Sequence, residues 1–76
     1  MTYTASMQRA FRSLVPPKNF SVQIIDNDNF LTLKANSDQF IRLGHDEKIA
    51  AVEYMIRVKK ALEDNGAIVM LVRDKI

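Results

Sequence analysis

The chain has no cysteine and no tryptophan, and only two glycines, two prolines and one histidine among its 76 residues. Without cysteine there is no disulfide, no thiolate nucleophile and no cysteine-ligated zinc or iron–sulfur site. Because Gly44 and Gly66 are the only glycines, a glycine-rich phosphate loop is excluded as well. A chain without cysteine fits a reducing compartment, so we expect a cytoplasmic location.

Long apolar runs are also missing. A membrane-spanning helix needs roughly 18 consecutive apolar residues, and no stretch of this sequence approaches that length, so we expect no membrane partner. The apolar fraction of 47% and the charged fraction of 26% are typical of a folded globular chain. We therefore expect one domain over residues 1–76, with the small core that so short a chain can bury.

Catalytic groupings are scarce. The single histidine, His45, is followed by Asp46 and Glu47, but adjacent positions lack the i, i+4 spacing of a helical metal site. No serine has a recognisable base nearby in the sequence, so no nucleophile and base are brought together. The sequence predicts a protein that is not an enzyme, with no catalytic residue, no metal site and no cofactor.

The first 15 residues have the pattern of an amphipathic helix. Its apolar residues recur at i, i+3, i+4 and i+7, on one helical face: Met7, Ala10, Phe11 and Leu14. Thr2 or Thr4 is suited to cap the first N–H groups, and Pro16 favours an end to the helix just before it. We expect this helix, within residues 1–15, to dock on the rest of the domain.

Residues 20–43 have the pattern of a β-meander. The segments "FSVQIID" and "FLTLKA" alternate apolar and polar residues, and the "NDN" between them is typical of a hairpin turn. After a second turn at "NSD", the segment "QFIRL" is predicted as a shorter third strand. A last strand would then run parallel to the first and third strands and pair beside one of them.

The main helix is predicted over residues 46–64, followed by a strand over residues 67–73, "AIVMLVR". Gly66 stands where a left-handed cap ends a helix. The predicted core face of the helix repeats at helical spacing: Ala51, Val52, Met55, Val58 and Leu62. The expected fold class is α+β, in the order helix, three-stranded meander, helix, strand. The strands form a small, mainly antiparallel or mixed sheet on which the helices pack.

The last strand raises the question of function, because it is apolar on both sides. Ile68, Met70 and Val72 point one way, whereas Val69 and Leu71 point the other. If both helices lie on one face of the sheet, apolar residues remain uncovered on the other, and a two-fold dimer buries them. The predicted partner or dimer surface comprises Ile25, Phe30, Tyr54, Ile56, Val69 and Leu71. If instead one helix lies on each face, the protein is expected to be a monomer.

The first 25 residues carry three bases and no acid: Arg9, Arg12 and Lys18. Such a segment suits phosphate contacts, so nucleic-acid binding is the alternative function. The same composition is also typical of a cleavable mitochondrial presequence. The favoured prediction is a small binding module, an inhibitor, adaptor or structural subunit, that contacts itself as a homodimer or an unidentified protein.

Overall fold

The computed structural model describes residues 3–73, with Arg73 described by its backbone alone. The elements in chain order are α1 (Ala5–Arg12), β1 (Val22–Asp26), β2 (Leu31–Ala35), α2 (Ser37–Arg42), α3 (His45–Asp64) and β3 (Val69–Arg73). The predicted class is confirmed: this is an α+β fold whose helices pack on a small mixed sheet.

The sheet has the strand order β1-β2-β3, with β1 antiparallel and β3 parallel to the central strand β2. The predicted hairpin between β1 and β2 is confirmed. Asp28 takes a positive φ of 69° in its turn, where its N–H donates to Oδ1 of Asp26 at 2.9 Å. The last strand was expected beside the first or third strand, and this was wrong, because it occupies the free edge of β2.

The predicted third strand was also wrong, since residues 37–42 form the helix α2. Asn36 caps this helix by accepting a hydrogen bond from the Gln39 N–H at 3.0 Å. Asp38 in the first turn and Arg42 in the last turn complement the helix dipole. The segment assigned to a turn is therefore a helix start.

Helix α1 forms where its apolar spacing predicts it, although it is shorter than expected. Oγ1 of Thr4 accepts from the Met7 N–H at 3.2 Å and so caps the first turn. The other predicted cap, Thr2, lies outside the described residues. At the far end, the Ser13 hydroxyl donates to the Ala10 carbonyl at 2.7 Å as the helix ends.

Helix α3 is bounded by interactions at both ends. At its start, Oε1 of Glu47 accepts from the Gly44 N–H at 2.8 Å. At its end, Gly66 takes a φ of 95°, and the Ala67 N–H donates to the Leu62 carbonyl at 3.1 Å. This is a Schellman cap, as the position of the glycine predicts.

The core lies between the sheet and the helices. Its most deeply buried large side chains come from β2 and α3: Leu31, Leu33, Val58 and Leu62. Helix α3 packs on β2 and β3, and α1 packs on α3. The shortest extent of the molecule is 14 Å, which leaves room for the sheet and one layer of helices. Within residues 3–73, the predicted alternative with one helix on each face of the sheet is not the arrangement found, because α1 packs on α3.

Candidate functional site

The register between β2 and β3 decides which way the last strand turns its side chains. Val69 lies beside Leu31 and Leu71 beside Leu33, on the face that the helices cover. Met70 and Val72 therefore point to the opposite face of the sheet. We call that side the open face; its strand residues are Gln23, Ile25, Thr32, Lys34, Met70 and Val72.

Apolar side chains of the open face remain in solvent. Met70 is 53% exposed and Val72 is 40% exposed, and Ile68, just before the strand, is 66% exposed. Ile25, across the sheet on β1, is half-buried. The exposure of apolar side chains therefore increases across the sheet toward β3.

Leu71 departs from the alternation of burial along β3. Its side chain points toward the helices, as that of Val69 does, yet Leu71 is 48% exposed and Val69 only 7%. The helix layer thus covers the beginning of β3 and leaves its second half uncovered. β3 is therefore exposed on both faces of the sheet. An uncovered open face would by itself expose only Met70 and Val72, and not Leu71.

The outer edge of β3 also presents backbone groups. The Leu31 N–H donates to the Ile68 carbonyl at 2.8 Å, and this bond determines which residues of β3 direct their backbone groups toward β2. Successive residues of a strand turn their backbone groups to alternate sides, so Met70 bonds toward β2. Leu71 turns its N–H and C=O outward, where no strand lies in the part of the chain that the structure describes. We call this outer side the β3 edge.

Two predicted surface residues were assigned wrongly, because both are buried in the core. Tyr54 lies on the core side of α3, with its ring 6.5 Å from that of Phe20. Val69 is covered because it lies beside Leu31 on the helix face of the sheet. Burial also raises the pKa of the Tyr54 phenol above its usual value.

The other predicted surface residues fall in different places. Ile25 is on the open face, and Phe30, half-buried, precedes β2. Ile56 is exposed on α3. It belongs to an exposed apolar stripe at helical spacing, which we call the α3 stripe: Ile49, Val52 and Ile56. Val52 was predicted for the core and is instead 42% exposed. Leu71 is half-exposed on the helix side of β3 and turns its backbone groups to the β3 edge.

The three predicted phosphate-contacting residues are all exposed. Arg9 and Arg12 lie on α1, and Arg9 donates from Nη2 to the Ser6 hydroxyl at 3.4 Å. Lys18 follows in the loop before β1. Among the described residues none of the three forms an ion pair, whereas Lys59 and Glu63 on α3 do, at 2.8 Å.

A groove of about 360 Å³ lies beside α2, lined by Asn19, Gln39, Arg42, Leu43 and Glu47. Two of its polar side chains, Gln39 and Glu47, form hydrogen bonds that stabilise the fold. Oε1 of Gln39 accepts from the Ser21 N–H and hydroxyl at 2.8 Å, and Glu47 caps α3. Within residues 3–73, no three histidine or acidic residues come together as a metal site would require.

Comparisons with known proteins found no matching family model, no matching curated protein and no matching solved structure. None of the described helices is long and apolar enough to cross a membrane.

Proposed function

We propose that the protein is a small binding module that does no catalysis and joins a second copy of itself through the apolar surface around β3. The observation that carries the proposal is the exposure of this strand on both sides, at Met70 and Val72 on the open face and at Leu71 on the helix side. Exposed contiguous apolar surface on a soluble domain is typical of an interaction site.

The size of the surface favours a second copy and a modest affinity. The exposed side chains from Ile68 to Val72 offer on the order of 400 Å², as large as the largest patch on a typical monomer. Two copies would bury roughly 800 Å² of side chain, which is below the standard protein interface and suits a weak dimer. A two-fold axis lets this one patch cover its own copy without a second protein.

Light scattering after size exclusion tests the proposal from low micromolar to submillimolar protein. The mass of the wild type should rise from one chain to two. Met70→Lys puts a charge in the patch and should keep the mass at one chain. Ile41→Lys is the matched control, since Ile41 on α2 is 56% exposed, and it should dimerise normally. A wild-type mass of one chain throughout would reject the dimer.

Ile56→Lys in the same series tests the α3 stripe. If the dimer used the stripe, this variant would stay at one chain while Met70→Lys dimerised. We expect the reverse, because the stripe is interrupted by charged neighbours such as Glu53, whereas β3 is apolar from Val69 to Val72.

Nucleic-acid binding is the second candidate, favoured by the exposed bases of the N-terminal region that lack ion-pair partners among the described residues. A labelled oligonucleotide should then bind at low salt and be released as salt rises. Replacing Arg9 and Arg12 by alanine should weaken binding, and replacing Lys59 and Lys60 should not, because Lys59 is already paired. Equal binding by the two double variants would reject this site.

A further inference from the structure

We infer that the second copy pairs along the β3 edge, antiparallel, with the two-fold axis at Leu71, so that one continuous sheet crosses both copies. This inference rests on the proposed self-association and names its geometry. Two other geometries are available to the same chain. In one, two open faces stack on each other; in the other, the α3 stripes meet.

The pattern of exposure favours the edge over the face. Stacked open faces would cover Met70 and Val72 but would leave Leu71 in solvent, because its side chain points toward the helices. They would also centre on β2, whereas Ile25 on the far strand is already half-buried. Pairing along β3 places a neighbour beside all three exposed residues of the strand.

The backbone of the strand suits this pairing. The ladder with β2 leaves the N–H and C=O groups of Val69, Leu71 and Arg73 directed outward. With the axis at Leu71, this residue exchanges both of its hydrogen bonds with its own copy. Val69 then pairs with Arg73 of the second copy, so every outward group of the strand gains a partner.

The side chains are complementary in the same register. Met70 stands opposite Val72 of the second copy on the open face, in the closely spaced pair of an antiparallel ladder. Leu71 stands beside its copy on the helix side, where the helix layer leaves it half-exposed. This pairing buries at most the roughly 800 Å² that the two patches offer, which is below the size of a standard interface and suits a weak dimer.

Before its last residue, Arg73, the β3 edge lacks the features by which monomeric sheets prevent such pairing. Exposed edge strands usually carry a lysine, a proline, an inward charge or a bulge. From Val69 to Val72 the strand has no charged residue and no proline, and its register with β2 is unbroken. The other edge strand, β1, ends in Asp26 and includes Gln23.

Amide hydrogen exchange by NMR, compared at dilute and concentrated protein, tests the inference on the wild type. Concentration should slow exchange at the amide of Leu71 by about tenfold or more, because that N–H gains a partner. The amide of Met70, which bonds to β2 in every copy, should be protected equally at both concentrations. A mass of two chains with unchanged exchange at Leu71 would overturn edge pairing and leave the proposed self-association standing; one chain throughout overturns both.

Proline substitution tests the edge directly. Leu71→Pro removes an outward N–H that no described residue uses, so the chain should fold and remain at one chain. The control is Ile24→Pro on β1. The Asn27 N–H donates to the Phe30 carbonyl at 2.9 Å, so alternate residues of β1 from Asn27 back, including Ile25, direct their N–H groups to β2. The N–H of Ile24 therefore points outward, as that of Leu71 does. Ile24→Pro should dimerise. A dimeric Leu71→Pro would overturn the inference. If Leu71→Pro does not fold, the amide exchange of the wild type decides.

Discussion

The two edge strands of the sheet flank the same central strand and have the same length, but they meet solvent differently. β1 includes the polar residue Gln23, its apolar side chains are half-buried, and it ends in Asp26, as β3 ends in Arg73. β3 is apolar from Val69 to Val72, and half of it is exposed on both sides. Each strand thus pairs with β2 over five residues, and the two differ in the polarity and the exposure of their side chains.

This difference shows how edges are protected in a small domain. β1 joins β2 through a tight hairpin turn and is polar enough to face water. β3 comes after a helix of 20 residues that covers only part of it. An apolar edge of this kind invites another strand. The difference therefore identifies the β3 edge as the side where a second copy would add.

The largest predicted effect is a loss of stability when proline removes a hydrogen bond between β2 and an edge strand. Met70→Pro on β3 and Ile25→Pro on β1 each remove an N–H that bonds to β2, so each should lower the free energy of unfolding by about 3 kcal/mol or more. Leu71→Pro should cost far less in dilute protein. Urea unfolding at low protein concentration measures all three. Equal losses for Met70→Pro and Leu71→Pro would show that the inner and outer groups of β3 are wrongly assigned.

A smaller effect compares the side chains. Ile24→Ala on β1 removes a half-buried residue and should cost about 1.5–2 kcal/mol, whereas Leu71→Ala should cost below about 1 kcal/mol in dilute protein. At high concentration the cost of Leu71→Ala should rise, because the proposed dimer would bury that residue and stabilise the wild type by mass action. Thermal unfolding across a concentration series measures this. A constant difference between the two variants would count against burial of Leu71.

The smallest effect concerns the helix layer that both strands share. Burial raises the pKa of Tyr54 above its ordinary value of about 10, so the folded state favours the neutral phenol. The resulting stability is fully present below the ordinary pKa and is lost as pH rises through the folded pKa. Above about pH 10 the wild type should lose melting temperature more steeply than Tyr54→Phe. Parallel pH slopes would contradict this.

Much of the fold could be predicted because periodicity records burial. The apolar spacing around Met7 and Val58, and the alternation around Leu33, identify α1, α3 and the hairpin. Which side chains of β3 face the helices could not be predicted. Val69 and Leu71 on one face and Met70 and Val72 on the other are all apolar, and shifting the pairing by one residue exchanges the two faces. The bond between Leu31 and Ile68, far apart in the sequence, fixes the pairing.

Helix α2 was missed because the same residue types start helices and form turns. Asn36, Ser37 and Asp38 suit a turn by composition, but in the structure the Asn36 side chain caps a helix. Six residues are too few to show helical periodicity, and adjacent Phe40 and Ile41 fit either pattern.

The candidate site was only partly predictable from the sequence. An apolar excess was evident from composition, and Ile25, Ile56 and Leu71 were predicted for the partner surface. The burial of Tyr54 could not be read from its position on α3, because the apolar arc of that helix is wider than the face that meets the sheet. Which side of an apolar helix is covered depends on where β3 and α1 lie.

The parallel pairing of β3 has a consequence for the order in which the chain folds. During synthesis the hairpin and then α3 emerge first, and β2 waits with one row of hydrogen-bonding groups open at Leu31, Leu33 and Ala35. β3, which emerges after α3, fills that row, and its pairing with β2 closes the longest loop in the sheet. β3 thus completes the sheet and also has the outer edge at which we propose that a second copy adds, so folding and assembly would depend on the same few residues.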